Sequence, residues 1–266
     1  MAATERAPER TPATATFRFH ADLNDFLPAS RRGLATVHAL PVPTTVKDAI
    51  EAQGVPHVEL GAVLVDDLPS SLERPLHGDE RVEVFPRFSP SAHEVPTLPR
   101  LPEPRRFVLD VHLGTLARRL RLLGFDTWYR THADDEELAV VSAAERRILL
   151  TRDIGLLKRS MVVHGAWVRA TDPSAQILEV VDRFELGPRL APYSRCIRCN
   201  GSLRPAADTE VEQKVPPRAR AAHDTFHLCG TCGQAYWHGT HTTALDDVVD
   251  RIRRHVSRRE ELQAVD

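Results

Sequence analysis

Phe107-Val108-Leu109-Asp110-Val111-His112-Leu113-Gly114-Thr115-Leu116-Ala117-Arg118-Arg119-Leu120-Arg121-Leu122-Leu123-Gly124-Phe125 changes its hydrophobic period part-way along. The first three residues form a short apolar run that reads as a buried strand ending in a carboxylate. From about Leu113 to Leu123 the apolar residues Leu113, Leu116, Leu120 and Leu123 share one face of a helix. Gly124 supplies a helix stop, and Phe125 to Tyr129 reads as a second strand. The alternation continues with a helix from Asp135 to about Arg146, the strand Ile148-Leu149-Leu150-Thr151 and a short helix from Ile154 to Arg159. A strand over Ala166–Arg169 and a helix over Pro173–Phe184 follow. Strands alternating with helices predict an α/β unit, a parallel sheet covered on both faces.

Ligands of open parallel sheets bind beyond the carboxyl ends of the strands. Asp110 ends the first strand and Asp153 follows the third. Asp134 and Asp135, with Glu136 and Glu137 behind them, open the helix after the second, and Asp172 follows the fourth. Any one of Asp134, Asp135, Asp153 and Asp172 is equally well explained as a helix N-cap, worth about 1 kcal/mol. All of them together are better explained by shared coordination, because clustered carboxylates repel one another without a cation and are natural ligands for Mg²⁺ or Mn²⁺. Such a site hydrolyses phosphodiesters without a covalent nucleophile. The chain carries no Gly-x-Ser-x-Gly elbow, no phosphate-binding loop and no Gly-x-Gly-x-x-Gly. Four further residues are candidate phosphate contacts. Arg118 and Arg121 lie on the expected polar side of the first helix, Thr151 at a strand end and Lys158 on the short helix. His112, beside Asp110, is expected as a packed neighbour.

The 4 cysteines form two pairs, Cys196-Ile197-Arg198-Cys199 and Cys229-Gly230-Thr231-Cys232. Two Cys-x-x-Cys turns close a tetrahedron of thiolates, which predicts a structural zinc site ahead of redox dithiols or disulfides. His223, His227, His238 and His241 are surplus to a site that four cysteines complete. Tyr236 and Trp237 are expected to pack beside the metal turn rather than stack on bases. The last segment, roughly Ala244 to Leu262, reads as a helix whose Arg251, Arg253, Arg254, Arg258 and Arg259 alternate with acids as a solvated face.

Several segments together resemble the PIN-fold ribonucleases, and within them the Mut-seven carboxy-terminal RNase domain family. They are Phe107 to Asp110, Leu116 to Thr127, Asp134 to Leu138, Leu150-Thr151-Arg152-Asp153, and the two cysteine pairs with Asn200-Gly201-Ser202-Leu203, Val215-Pro216-Pro217, Gly233 and Tyr236-Trp237. The resemblance covers about Phe107 to His241. It implies a PIN-like parallel-sheet nuclease domain over 106–185 and a zinc ribbon over 186–242, followed by the terminal helix over 243–266. It also implies an acidic triad of Asp110, Asp135 and Asp153 holding the catalytic metal. Asp134 is an alternative to Asp135, and Asp172 matches a fourth, more variable position. Ile154-Gly155 stands where many PIN nucleases carry another acid, so one metal is expected to dominate.

Upstream, Ser89 to Pro104 carries Pro90, Pro96, Pro99, Pro102 and Pro104 and reads as an extended linker, assigned to 89–105. Before it, Thr16 to His20 alternates as a strand and Leu34 to Ala39 reads as a second. A helix from about Thr45 to Gln53 and the strands Ala62–Val65 and Arg81–Phe85 follow. This order resembles the ubiquitin-like β-grasp fold, specifically sulfur carriers of the ThiS and MoaD type, over 15–88. The local match is Val46-Lys47-Asp48-Ala49-Ile50 and Gly78-Asp79. Sulfur carriers end in a free Gly-Gly carboxylate, whereas this strand runs into Pro86-Arg87-Phe88, so the unit is expected to dock a protein partner rather than carry sulfur. Residues 1–14 read as a disordered tail and not as a signal peptide.

The whole-chain charge of -2 hides an asymmetry. Residues 1–104 hold 10 Lys+Arg against 15 Asp+Glu, and residues 105–266 hold 25 against 22, so the second part is mildly basic. No apolar run reaches the roughly 18 residues of a membrane span, and reduced, metal-bound cysteines suit the cytoplasm. The sequence thus predicts a cytoplasmic metal-dependent ribonuclease, with RNA as substrate, zinc as structural metal and magnesium or manganese at the acidic site. The alternative is a non-catalytic RNA- or protein-binding adaptor that keeps the same fold.

Overall fold

Alternating burial along Thr14–Phe19 (β1) turns Ala15, Phe17 and Phe19 into one core, against which the rest of the amino-terminal unit is built. The computed structural model describes residues 13–41, 44–87, 99–237 and 243–263. Most of the expected tail and of the Pro-rich linker lies outside them, although Thr14, assigned to the tail, is the first residue of β1. The chain divides into two units, residues 1–100 and 101–266.

In the first unit β1 pairs antiparallel with Thr36–Ala39 (β2). A small ladder joins Thr44–Thr45 (β3) to a strand over Pro75–Leu76. Between them Val46–Ala52 (α1) starts at Thr45, whose side chain accepts from the Asp48 amide, and buries Val46, Ala49 and Ile50 on one face. Leu60–Val65 (β4) turns through Asp66 and Asp67, both with positive φ, into Leu68–Pro69 (β5). Counting Pro75–Leu76 as β6, the last strand is Arg81–Pro86 (β7), parallel to β1 and antiparallel to β4. The order β2-β1-β7-β4-β5, with a parallel central pair and a helix across it, is a β-grasp-like domain.

The second unit contains a four-stranded sheet of Arg106–Leu109 (β8), Asp126–Trp128 (β9), Ile148–Thr151 (β10) and Gly165–Trp167 (β11). All its pairs are parallel and the order is β11-β10-β8-β9. Every residue of β10 and the last three of β8 are buried, as strands covered on both faces require. The connecting helices are Gly114–Leu122 (α2), Asp135–Ala144 (α3), Ile154–Leu157 (α4) and Pro173–Arg183 (α5). The connection from β8 to β9 travels in one direction along the sheet and that from β9 to β10 in the other. Right-handed crossovers therefore place α2 and α3 on opposite faces. In agreement, α2 packs against α5, whereas α3 lies against β8 and β10. Reversal of direction makes β8 and β10 the switch point of the sheet, where a crevice opens beyond the strand ends.

The remaining chain adds a three-stranded antiparallel sheet, Leu203–Pro205 (β12), Phe226–Cys229 (β13) and Ala235–Trp237 (β14). Two short helices, Asp208–Lys214 (α6) and Pro217–Ala222 (α7), lie between β12 and β13. The first is polar and the second mixes Arg with Pro and Ala, neither has a stripe of large apolar residues, and no residue of either is buried, so no periodic pattern announces them. Thr243–Gln263 (α8) buries Val249 and Ile252 and is fastened to α5 by Asp182, which pairs with His255 at 2.8 Å and Arg259 at 2.8 Å.

Helix α2 ends in a Schellman turn, with the Phe125 amide on the Leu120 carbonyl at 2.9 Å and the Gly124 amide on that of Arg121 at 3.0 Å. Gly124 sits at φ 96°, and a Cβ there would meet the carbonyl of Ala191 and lie 2.7 Å from Ser194 Oγ. Gly33, at φ 71°, has open space instead. Gly124→Ala should destabilise its unit by about 2 kcal/mol or more, and Gly33→Ala its own by about 1 kcal/mol. Urea unfolding of the two variants checks the contrast.

Candidate functional site

Two adjacent strand ends meet at the switch point. Asp110 follows β8 and is 7% exposed, and its amide donates to the Leu150 carbonyl at 3.1 Å. Thr151, the last residue of β10, is fully buried and donates its hydroxyl to Asp110 Oδ2 at 2.7 Å. The Asp153 amide in turn donates to Thr151 Oγ1 at 2.9 Å. This relay fixes one oxygen of the Asp110 carboxylate, while Oδ1 takes no hydrogen bond among the described residues. Thr151, expected as a phosphate contact, makes its described side-chain hydrogen bonds to the Asp110 carboxylate and the Asp153 amide.

The other carboxylates are exposed. Asp153 caps α4 through the Gly155 amide at 2.7 Å. Asp134 caps α3 through the Glu137 amide at 2.8 Å, which leaves the neighbouring Asp135 uncommitted. Asp172 accepts from the amides of Ser174 and Ala175, both at 2.9 Å, and serves as the cap of α5. Asp110, Asp135 and Asp153 are not drawn together: among the described residues, the four cysteines are the only group of three or more metal-ligating side chains whose donor atoms all lie within 4.8 Å of one another. Lys158 lies at the carboxyl end of α4, and His112 is exposed rather than packed.

The cysteine cluster is built from two matching turns. The amide of Asn200 returns to the Cys196 carbonyl at 2.9 Å, and that of Gly233 to the Cys229 carbonyl at 3.0 Å. Asn200 and Gly233 both adopt left-handed backbone, φ 72° and 71°. Cys196 Sγ lies 3.7 Å from Cys232 Sγ, and Cys199 Sγ lies 3.4 Å from Cys229 Sγ. Thiolates around tetrahedral zinc at about 2.3 Å stand about 3.8 Å apart, so the donor set fits that ion. Burial opposes ionisation of Cys229, but the amides of Cys232 and Thr231 outweigh it and lower the thiol to about 7. Tyr236 places its hydroxyl 3.0 Å from Cys196 Sγ, and Trp237 packs on Phe226, so these rings shield the turns. His223 and His227 stand outside the cluster, and His238 and His241 lie outside the described residues.

The first turn is joined to β9, the outer strand of the parallel sheet. Arg121 is 5% exposed and is therefore not on the polar side of α2. Its Nε donates to the Thr127 carbonyl at 3.0 Å, and its Nη1 to those of Arg198 at 3.1 Å and Ile197 at 3.4 Å. Asn200 accepts from the Thr127 amide at 2.9 Å and donates to Asp126 Oδ1 at 2.8 Å. Asp126 Oδ1 also accepts from Arg147 Nη1 at 2.7 Å, and its Oδ2 stands 3.7 Å from Arg195. Thr127 thus satisfies its edge-strand amide through Asn200 of the ribbon and its carbonyl through Arg121 of α2. Burial lowers the Arg121 pKa against the raising influence of Cys199, Cys196 and Asp126. Four thiolates and one zinc ion make a dianion, a ready counter-charge for this buried guanidinium.

The signature of the Mut7-C RNAse domain matches residues 105–249, just over half of the chain, with the acidic strand ends and all four cysteines inside it. The chain belongs to this family. The Mut7-C ubiquitin signature matches residues 12–92. This Mut7-C RNase family chain is matched by no curated protein. Among solved structures it is similar to the small archaeal modifier protein 1 of H. volcanii, with 19% identity over 28% of this chain and 97% of that one, at a TM-score of 0.23. A second structure, SAMP1 from Haloferax volcanii, has 18% identity over 29% and 98% of the two chains, also at 0.23. At that TM-score neither likeness carries functional weight. No described helix is long and apolar enough to cross a membrane.

Sequence reading gave Asp126, Arg147 and Asn200 no role in the Mut7-C unit. The available signal was Asn200 itself, a left-handed-tolerant amide side chain directly after the second cysteine of its turn. Burial raises the Asp126 carboxyl, but hydrogen bonds from Arg147 and Asn200 outweigh it and hold the group below its ordinary value. Its contribution is therefore fully present above the unfolded pKa of about 3.9 and lost as pH falls through the lower folded value. Asp126→Asn should cost about 2 kcal/mol near neutrality. In urea unfolding, the gap between the parent and Asp126→Asn should shrink below about pH 4. Metal analysis should return one equivalent of zinc per chain from the parent and a loss of that zinc from Cys199→Ser.

Proposed function

We propose that this protein is a metal-dependent ribonuclease whose second unit works as a PIN-like nuclease domain. The observation that carries the reading is the buried Asp110 carboxylate at the switch point, held by Thr151 through one oxygen and presenting the other without a donor. Membership of an RNase domain family supports it. Asp110, Asp135 and Asp153 would hold a hard divalent cation, since their donors are carboxylate oxygens, Asp110 Oδ1 and the Asp135 carboxylate accept no hydrogen bond among the described residues, and the cap bond of Asp153 uses only its Oδ1. When bound, Mg²⁺ or Mn²⁺ supplies an acidified water and charge stabilisation for the leaving oxyanion. Thr151 holds Asp110 in one rotamer and, through the Asp153 amide, ties the two acidic strand ends together. The zinc ribbon covers the outer strand, and the β-grasp-like unit is read as a docking module for a protein partner.

Cleavage of a labelled RNA under single-turnover conditions with Mg²⁺ or Mn²⁺ tests this assignment. Asp110→Asn and Asp153→Asn should each lower the rate by on the order of 10²-fold or more, while Asp172→Asn keeps most of it. Thr151→Val should lose about tenfold, and Thr151→Ser, which retains the hydroxyl, should recover. Equal cleavage by the parent, Asp110→Asn and Asp153→Asn would overturn the reading. Mn²⁺ should also raise the unfolding temperature of the parent and not that of Asp153→Asn.

A further inference from the structure

Arg198, the third residue of the first zinc turn, stands in a surface cleft together with Arg118, Tyr129, Arg130 and His132. The cleft has one carboxylate, Glu137, and it is taken by Arg130 at 2.7 Å. Arg118 and Arg198 are exposed, and neither has a carboxylate partner among the described residues. Cations gathered in one cleft repel each other unless an anion joins them, which favours a polyanionic ligand.

Two contacts set where this cleft lies. Arg121, one helical turn beyond Arg118, binds the Arg198 carbonyl at 3.1 Å and so holds the metal turn against α2. Tyr129 donates its hydroxyl to the Val111 carbonyl at 2.9 Å, which ties the cleft wall to the residue next to Asp110. Gly114 is required there, because a Cβ would lie 2.6 Å from that hydroxyl. The cleft therefore borders the carboxyl edge of the sheet.

We propose that the first zinc turn is part of the substrate site: Arg198 and Arg118 bind successive phosphates of single-stranded RNA leading to Asp110. The proposal rests on the ribonuclease reading for its choice of RNA. A guanidinium pairs with phosphate by parallel hydrogen bonds, and the rings of Tyr129 and His132 offer faces on which an unpaired base can stack. The ribbon then has two tasks, covering β9 and presenting a cation to substrate.

The test uses the full-length zinc-loaded protein and a fluorescein-labelled oligouridylate, with binding followed by anisotropy without added divalent ions and cleavage measured separately with Mn²⁺. Arg118→Gln with Arg198→Gln should weaken binding on the order of tenfold and lower the slope of log K against log salt by about 1.4, as expected for two lost phosphate contacts. Arg254→Gln with Arg258→Gln makes the same charge change on α8 and should leave both quantities near the parent values. Zinc content and unfolding midpoint establish that the variants are folded, and Arg198→Gln alone should give about half of the slope change. Equal binding by the two double variants overturns the cleft, as does a parent that does not bind the oligouridylate. Loss of binding in the Arg118 and Arg198 variant, combined with equal cleavage by the parent and Asp110→Asn, would leave the cleft standing and sink the nuclease assignment.

Discussion

A guanidinium buried without a carboxylate holds the second unit together. Arg121 leaves the core face of α2 and meets three backbone carbonyls, one on β9 and two on the first cysteine turn. Burying such a charge is expensive unless its donors are satisfied and an opposite charge is near. Carbonyl oxygens meet the first demand, and the four clustered cysteines, holding zinc as thiolates, would meet the second. Zinc binding would then be coupled to packing of the parallel sheet through this counter-charge.

The same junction accounts for the placement of polar groups around it. Asp126 begins β9 and draws in Arg147, just before β10, and Asn200 and Arg195, which flank the first cysteine turn. Asn200 serves twice, as the left-handed residue that completes the cysteine turn and as donor and acceptor to the strand edge. Each of these bonds is modest alone, but together they leave no buried member of the group unsatisfied, which is the condition for a polar network to stabilise rather than weaken a fold. Beside Arg121, one turn back along α2, the geometry is open. There Arg118 and Arg198 remain exposed without acids, next to a strand end whose single buried carboxylate is held by a threonine.

Much of this was legible in the sequence because it depends on periodicity and local chemistry. The change of period after Leu109, the glycine stop at 124 and the apolar run Ile148 to Leu150 place strands and helices that the structure contains. The cysteine pairs announce their cluster by spacing alone. Helices α6 and α7 were not legible, since neither buries a residue and so neither leaves an apolar stripe. In the site, Thr151 and Arg121 were visible as types but not by the contacts they make. Arg121 and Arg118 look alike along the helix, and only packing distinguishes a guanidinium turned to carbonyls from one left in solvent.

By itself the sequence determined which segments form the parallel sheet and its connecting helices, where carboxylates fall at strand ends, and that four thiols are paired at a spacing suited to a tetrahedral metal. These follow from neighbours along the chain: hydrophobic period, helix stops and ligand spacing act over a few residues. The tertiary structure alone decided that β8 and β10 adjoin, so that Thr151 reaches Asp110, and that the first cysteine turn lies against β9, so that Arg121 is buried and Arg198 faces a basic cleft. Those outcomes depend on which strand edges pair and on which polar groups must be satisfied once buried. Such demands arise between residues far apart in the chain, and no local pattern records them.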